Sequence, residues 1–214
     1  SIKNIEVLGP ADINNRLPIF SIKIKHKDKY IHPKFVAKLI NDLFGIQTRA
    51  GCACAAPYGH RLLDISKETS DIFRHFIKEE ITAIKPGWIR FNIHYIMSEE
   101  EVDFICNVME FVAENGYLFL SEYVLNVKTG NWSHKSHNKP LAIVENFGAE
   151  ESLKYTGNSN AKVERKIYLK DQNEEYKKYL DKAKKHAAQL KEEDINFKSF
   201  DEEHPSWFYY VDSK

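Results

Sequence analysis

Apolar and polar residues alternate in two stretches of the chain, and a period of two indicates a β-strand with one buried face. The first stretch is 17–25, LPIFSIKIK. The second is 88–95, WIRFNIHY, in which the apolar residues face one way while Arg90 and Asn92 face the other. The polar side chains of this second strand must face either water or a binding site, so this face is a candidate functional surface.

Apolar residues recur every three or four positions in three other stretches, which predicts amphipathic helices. The first is 33–44, with Gly45 where a glycine ends a helix, and the second is 67–82. The third begins at Ser98 with a capping box, Ser-Glu-Glu-Glu, and its apolar stripe ends at Gly116.

Two short stretches between the first two helices have less regular patterns. Residues 46–50, IQTRA, are compatible with a short strand. Residues 51–59, GCACAAPYG, consist of small residues with Gly and Pro, which predicts a loop. This loop contains Cys52 and Cys54.

The composition becomes more polar and charged beyond about residue 127, where we expect the first compact unit to end. We therefore divide the chain into a domain at 1–127 and a polar linker with a C-terminal extension at 128–214. Within the extension, 172–192 predicts a charged helix with one narrow apolar side. The aromatic stretch HPSWFYYV at 204–211 is expected to dock on the body of the protein or on a partner.

Composition and charge exclude several classes of protein. With 43% hydrophobic and 13% aromatic residues the chain can form a core. Its 31 basic and 31 acidic residues leave no net charge to attract nucleic acid or an anionic membrane. No apolar run reaches the length of a membrane helix and no signal peptide is visible, so we expect a cytoplasmic protein. Three cysteines, an odd number, argue against a secreted disulfide framework.

Two segments carry the pattern that points to a chemistry: RAGCACAAPYGHRLL at 49–63 and WIRFNIHYIMSEEEVDFICNVMEFV at 88–112. The first resembles the Arg-x-Gly-x-x-Cys-Ala loop of class V aminotransferases and the related cysteine desulfurases and selenocysteine lyases. Cys54 falls on the cysteine that accepts sulfur in that family. The second segment is similar to the family's pattern of an arginine on a strand followed by a capping box and a helix.

The resemblance covers roughly residues 1–125 and implies the C-terminal small domain of a fold-type I enzyme. It implies an α+β fold, a small antiparallel sheet with helices packed on one face, to which the helical C-terminal extension is added. It also implies roles for individual residues: Cys54 as a catalytic thiolate, and Arg90 as the group that holds the substrate carboxylate. Arg49 and His60 are candidates for supporting contacts with the substrate. A planar guanidinium suits a carboxylate because it can bind both oxygens at once.

The cofactor implied by the resemblance is pyridoxal 5′-phosphate (PLP), which the family holds in a larger domain N-terminal to the small one. No such block precedes residue 1, so we expect a C-terminal fragment that lacks that PLP-binding domain, binds no PLP and is inactive alone. The resemblance further implies that the complete enzyme is a homodimer acting on a small amino acid. The separation between the two segments is longer here than in the desulfurases, because the predicted helix at 67–82 is inserted.

Several alternatives remain open from the sequence. The enzyme could be an aminotransferase or lyase of the same family in which Cys54 has no catalytic role. Cys52 and Cys54 could instead form a metal pair, although a closed zinc site needs four ligands. A third alternative is a stand-alone protein-interaction module that uses the face the larger domain would otherwise cover.

Overall fold

The fold has a central antiparallel sheet, and most of the helices pack on one face of this sheet. The computed structural model describes residues 2–10, 12–51, 56–136, 161–195, 197–198 and 207–211. The sheet contains β1 (Ile5–Val7), β2 (Ile19–His26), β4 (Arg49–Gly51) and β5 (Trp88–Asn92), in the spatial order β1, β2, β5, β4. The short β3 (Lys29–Tyr30) pairs with the end of β2. The predicted α+β fold class is confirmed.

Three of the five described helices begin where the sequence pattern predicts them, at residues 33, 67 and 99. They are α1 (Pro33–Phe44), α2 (Ala56–Leu62), α3 (Lys67–Lys78), α4 (Glu99–Asn115) and α5 (Ala161–Ala187). Gly45 ends α1 in the left-handed conformation, with φ of 68°. The capping box of α4 is present in both directions: Ser98 Oγ accepts from the N–H of Glu101, and the Glu101 carboxylate accepts from the N–H of Ser98.

The main core lies between the sheet and the helices α1, α4 and α5. Ile22 and Ile24 of β2 and Ile89 of β5 are almost fully buried there, against Leu39 of α1 and Val108 of α4. Because side chains alternate along a strand, the neighbouring residues Ser21, Lys23 and Arg90 point to the opposite face. That opposite face carries the candidate site.

Two predicted elements differ in extent from the structure. The loop predicted at 51–59 is helical from Ala56 onward, so that part of the prediction is wrong. Pro57 is tolerated because the first turn of a helix does not use its backbone N–H groups internally. The helix predicted at 67–82 ends at Lys78, and the chain turns at Glu80, whose φ is 63°. The N–H of Ile81 then bonds back to the Phe76 carbonyl at 2.9 Å.

The described part of the C-terminal extension packs on the same core as the rest of the chain. A small hairpin of β6 (Tyr123–Asn126) and β7 (Asn131–His134) spans residue 127. The predicted charged helix is present within α5, and Tyr176 stacks on the Phe104 ring with centroids 4.0 Å apart. Described residues on both sides of residue 127 therefore contribute to one core, and the division of the chain at residue 127 stays a prediction.

The aromatic stretch near the C-terminus docks on the body of the protein, as predicted. Two short strands, β8 (Phe197–Lys198) and β9 (Tyr210–Val211), pair with each other. The N–H of Tyr30 donates to the Trp207 carbonyl at 2.9 Å, and the N–H of Tyr209 donates to the Tyr30 carbonyl at 3.1 Å. Phe208 is 1% exposed, so this segment is part of the core.

Candidate functional site

Arg49 and Arg90 lie directly opposite each other on adjacent antiparallel strands. The register of β4 and β5 pairs Arg49 with Arg90, and Ala50 with the buried Ile89. Both arginines therefore point away from α1 and α4, and both are exposed. Directly opposed side chains in such a pair have Cβ atoms about 5 Å apart.

Neither arginine is neutralised by the described part of the chain. No described carboxylate lies within 4 Å of the Arg49 or Arg90 guanidinium, whereas Lys23 on the same face of the sheet pairs with Glu6 at 2.8 Å. Two like charges directly opposite each other on a sheet destabilise it. Two exposed guanidinium groups in this arrangement can bind an anion together.

The arginine pair opens into a cleft of about 590 Å³ at one end of the sheet. One wall is the segment that leads into β2, formed by Leu17, Pro18 and Ile19. Leu17 is 72% exposed. The polar lining residues are Gln47, Thr48, Arg49, Arg90, Asn92 and His94. The residues that line the cleft include no carboxylate, so the cleft attracts anions.

The wall at 17–19 is a part of the site that the sequence pattern did not indicate. The pattern predicted only that these residues begin a strand. Their place beside Arg90 follows from the pairing of Ile19 with Asn92 and of Ser21 with Arg90. His94 lies at the rim in the turn after β5, where its Nδ1 accepts from the N–H of Ile96 at 3.4 Å.

Trp88 anchors both ends of the segment that contains the predicted catalytic cysteine. Gly51, the last residue of β4, pairs with Trp88 and has φ of 116°, a conformation that residues with a Cβ rarely adopt. Gly59 of α2 lies against the Trp88 ring, where an added Cβ would be 3.7 Å from two ring carbons. Trp88 is 4% exposed. Cys52 and Cys54 themselves lie outside the described residues.

His60 is not brought together with the arginine pair. It lines a separate cleft of about 270 Å³ between α2 and α3, with Leu63 and Phe73. Cys106, the third cysteine, is an exposed residue of α4. Partial burial of its sulfur raises the pKa of the thiol, and the nearby Asp103 charge raises it further. A thiol with a raised pKa is a poor nucleophile at neutral pH.

The arginine cleft does not fit PLP itself. Its lining residues offer no lysine amine to form an imine and no carboxylate to pair with a pyridinium nitrogen. They do offer planar donors for a carboxylate. Across the described ranges, no group of three or more His, Cys, Asp or Glu side chains is arranged to hold a metal ion. The suggested metal pair of Cys52 and Cys54 falls in the segment that is not described.

Comparisons with known proteins identify no family for this chain: no family model, no curated protein and no solved structure matches it. Among the described helices, none combines the length and the apolar character needed to cross a lipid bilayer.

Proposed function

We propose that this chain is the substrate-carboxylate-binding part of a PLP-dependent enzyme that acts on an amino acid, similar to the small domain of class V aminotransferases and cysteine desulfurases. The observation that carries the proposal is the exposed, unneutralised pair of Arg49 and Arg90 at the head of a cleft. PLP supplies the electron sink for such reactions, and in this proposal it is held outside the arginine cleft.

Arg90 has the principal role in this proposal. It projects from the middle of the sheet, where β2 and β4 flank it on both sides, so its backbone is fixed. A guanidinium on a fixed strand can bind both oxygens of an α-carboxylate and orient the rest of the amino acid. Arg49, on the edge strand, adds a second positive charge that strengthens binding.

Cys54 is the proposed sulfur acceptor, which makes the enzyme similar to a desulfurase or selenocysteine lyase. It follows β4 in sequence, five residues after Arg49 in the segment whose two ends contact Trp88. A thiolate is the reactive form of cysteine, and a nearby positive charge favours it, which is the role this proposal gives to Arg49. In the alternative reaction, that of an aminotransferase or lyase, Cys54 has no part.

The test uses the protein expressed from its complete coding sequence and supplied with PLP. It is mixed with L-cysteine, L-selenocysteine and a panel of other L-amino acids, while sulfide, selenide, keto acid and the cofactor absorbance are recorded. We expect Arg90→Gln to lower kcat/KM about 100-fold, since one charge-assisted bidentate contact is lost. Arg90→Lys keeps the charge but loses the bidentate contact, so it should recover only part of the loss.

The cysteine variants separate the two reactions. Cys54→Ser should abolish sulfide release and leave the absorbance change on adding amino acid intact. Cys106→Ser is the matched control and should not change turnover. If Cys54→Ser retains full turnover while Arg90→Gln loses it, the enzyme is an aminotransferase or lyase. If no amino acid changes the absorbance or is turned over, the proposal fails.

A further inference from the structure

The cleft that contains His60 combines an apolar floor with a basic rim. Its floor is formed by Leu63, Phe73, Ile77 and Pro86, and Leu63 and Phe73 are 5% and 3% exposed. With a volume of about 270 Å³ it lies just below the usual size range of ligand pockets. A cleft of this size holds a short acyl chain or a single aromatic ring.

Every ionisable side chain that lines this cleft is basic. They are His60, Arg74, Lys78 and Lys85. The chain as a whole has 31 Lys and Arg and 31 Asp and Glu residues, whereas the cleft lining has three Lys and Arg residues and no Asp or Glu, so positive charge is locally in excess. Ser70 adds a hydroxyl on the same rim.

Three acidic residues in α3 and just after it form ion pairs. Glu79 lies 3.3 Å from His75, and Glu80 lies 3.0 Å from Lys128; neither His75 nor Lys128 lines the cleft. Asp71 pairs with Arg74 at 3.3 Å. No carboxylate of the described residues lies within 4 Å of Lys78 or Lys85. These two ammonium groups are therefore available to a ligand.

We propose that this cleft is a binding site for an apolar carboxylate, such as a medium-chain fatty acid. The acyl chain lies on Phe73 and Ile77, and the carboxylate lies at the rim between Lys78 and Lys85. Burial of the methylene groups supplies most of the affinity, and the two lysines select an anionic head group. The site is separate from the arginine pair, and it does not depend on the function proposed above.

The test is a titration of the full chain with three probes, in which binding is measured from the chemical shifts of the backbone amides. Octanoate carries both features, octanol only the apolar chain and acetate only the charge. We expect octanoate to bind at least tenfold more tightly than either of the others, with shifts centred on Leu63, Phe73 and Ile77. Equal affinity for octanoate and octanol would overturn the proposed role of the lysines. Shifts centred on Arg49 and Arg90 would overturn the location.

Two variants test the site without emptying the core. The double variant Lys78→Gln and Lys85→Gln should weaken octanoate at least tenfold and leave octanol unchanged, and Ser70→Leu should fill the cleft and weaken both. Lys67→Gln, at the start of α3 and outside the cleft, is the matched control. Unchanged octanoate affinity in both site variants, with wild-type thermal stability, would refute the proposal.

Discussion

His32 is a buried histidine whose two ring nitrogens are both used by the folded protein. Its side chain is 3% exposed. Nε2 lies 3.0 Å from the Ala83 carbonyl and donates to it, while Nδ1 accepts from the N–H of Lys34 at 3.2 Å and caps α1. These two contacts require the neutral ring with its proton on Nε2. Burial, with a smaller effect of the Lys34 charge, lowers the pKa of His32 to about 4.

The perturbation is a fall in pH from 7 to 5. An unfolded histidine has a pKa of about 6.5, so below that pH the unfolded chain binds a proton that folded His32 does not bind. A histidine with a lowered pKa therefore stabilises the fold fully above 6.5, and this stability is lost as the pH falls toward 4. The whole shift corresponds to about 3 kcal/mol, of which about 2 kcal/mol is lost between pH 7 and pH 5.

The assay is urea unfolding at several pH values for the wild type and for His32→Asn. Asparagine is a good N-cap and does not titrate, so the variant keeps the cap but loses the bond to Ala83. We expect the variant to be less stable at pH 7, and its loss of stability between pH 7 and 5 to be smaller by about 2 kcal/mol. Taking this difference cancels contributions of His26, whose pKa is also lowered, chiefly by burial.

His75→Asn is the matched control, because the His75 side chain is 67% exposed. Its pH dependence should follow that of the wild type. If His32→Asn and the wild type lose the same stability between pH 7 and 5, protonation of His32 is not the cause of that loss.

Three further predictions concern stability. Arg90→Gln should raise the free energy of unfolding by about 0.5 kcal/mol, because it removes a like charge opposite Arg49. Urea unfolding measures this change, with Arg74→Gln as the control. A loss of stability in Arg90→Gln would contradict the repulsion between Arg49 and Arg90. Ser98→Ala should cost about 1 kcal/mol by removing the capping box of α4, measured in the same way, and an unchanged midpoint would contradict it. Trp207 packs against the main core and against two smaller apolar clusters, one with Leu63 and Trp88 and one with Phe73 and Phe76. Trp207→Ala should therefore cost about 2 kcal/mol and should increase hydrogen exchange in α2 and α3 more than in α4; a uniform increase would contradict this.

The elements that the sequence predicted well are those with strong local signals. The first turn of α1 and the capping box of α4 depend on a few neighbouring residues, and β2 depends on a simple alternation. Such signals do not need the rest of the fold. By contrast, the pattern does not predict α2, because Pro57 and Gly59 are typical of a loop, and the close approach of Gly59 to the Trp88 ring is a long-range contact.

The candidate site was only partly predictable for a related reason. The polar face of β5 identified Arg90, but the arrangement of Arg49 opposite it depends on the pairing of β4 with β5, which are separated by α2 and α3. The wall at 17–19 depends on a second long-range pairing, that of β2 with β5. Neither of these strand pairings is determined by residues that are close together in the sequence.

The central claim is that Arg49 and Arg90 together bind the carboxylate of an amino acid. The most direct measurement uses an arginine-specific reagent, phenylglyoxal, on the protein from its complete coding sequence with PLP, and locates the modified residues by peptide mass spectrometry. We expect Arg49 and Arg90 to react, and an amino acid that changes the cofactor absorbance to slow both at least fivefold while Arg74 is unaffected. Equal rates at Arg49 and Arg90 with and without saturating amino acid would contradict the claim.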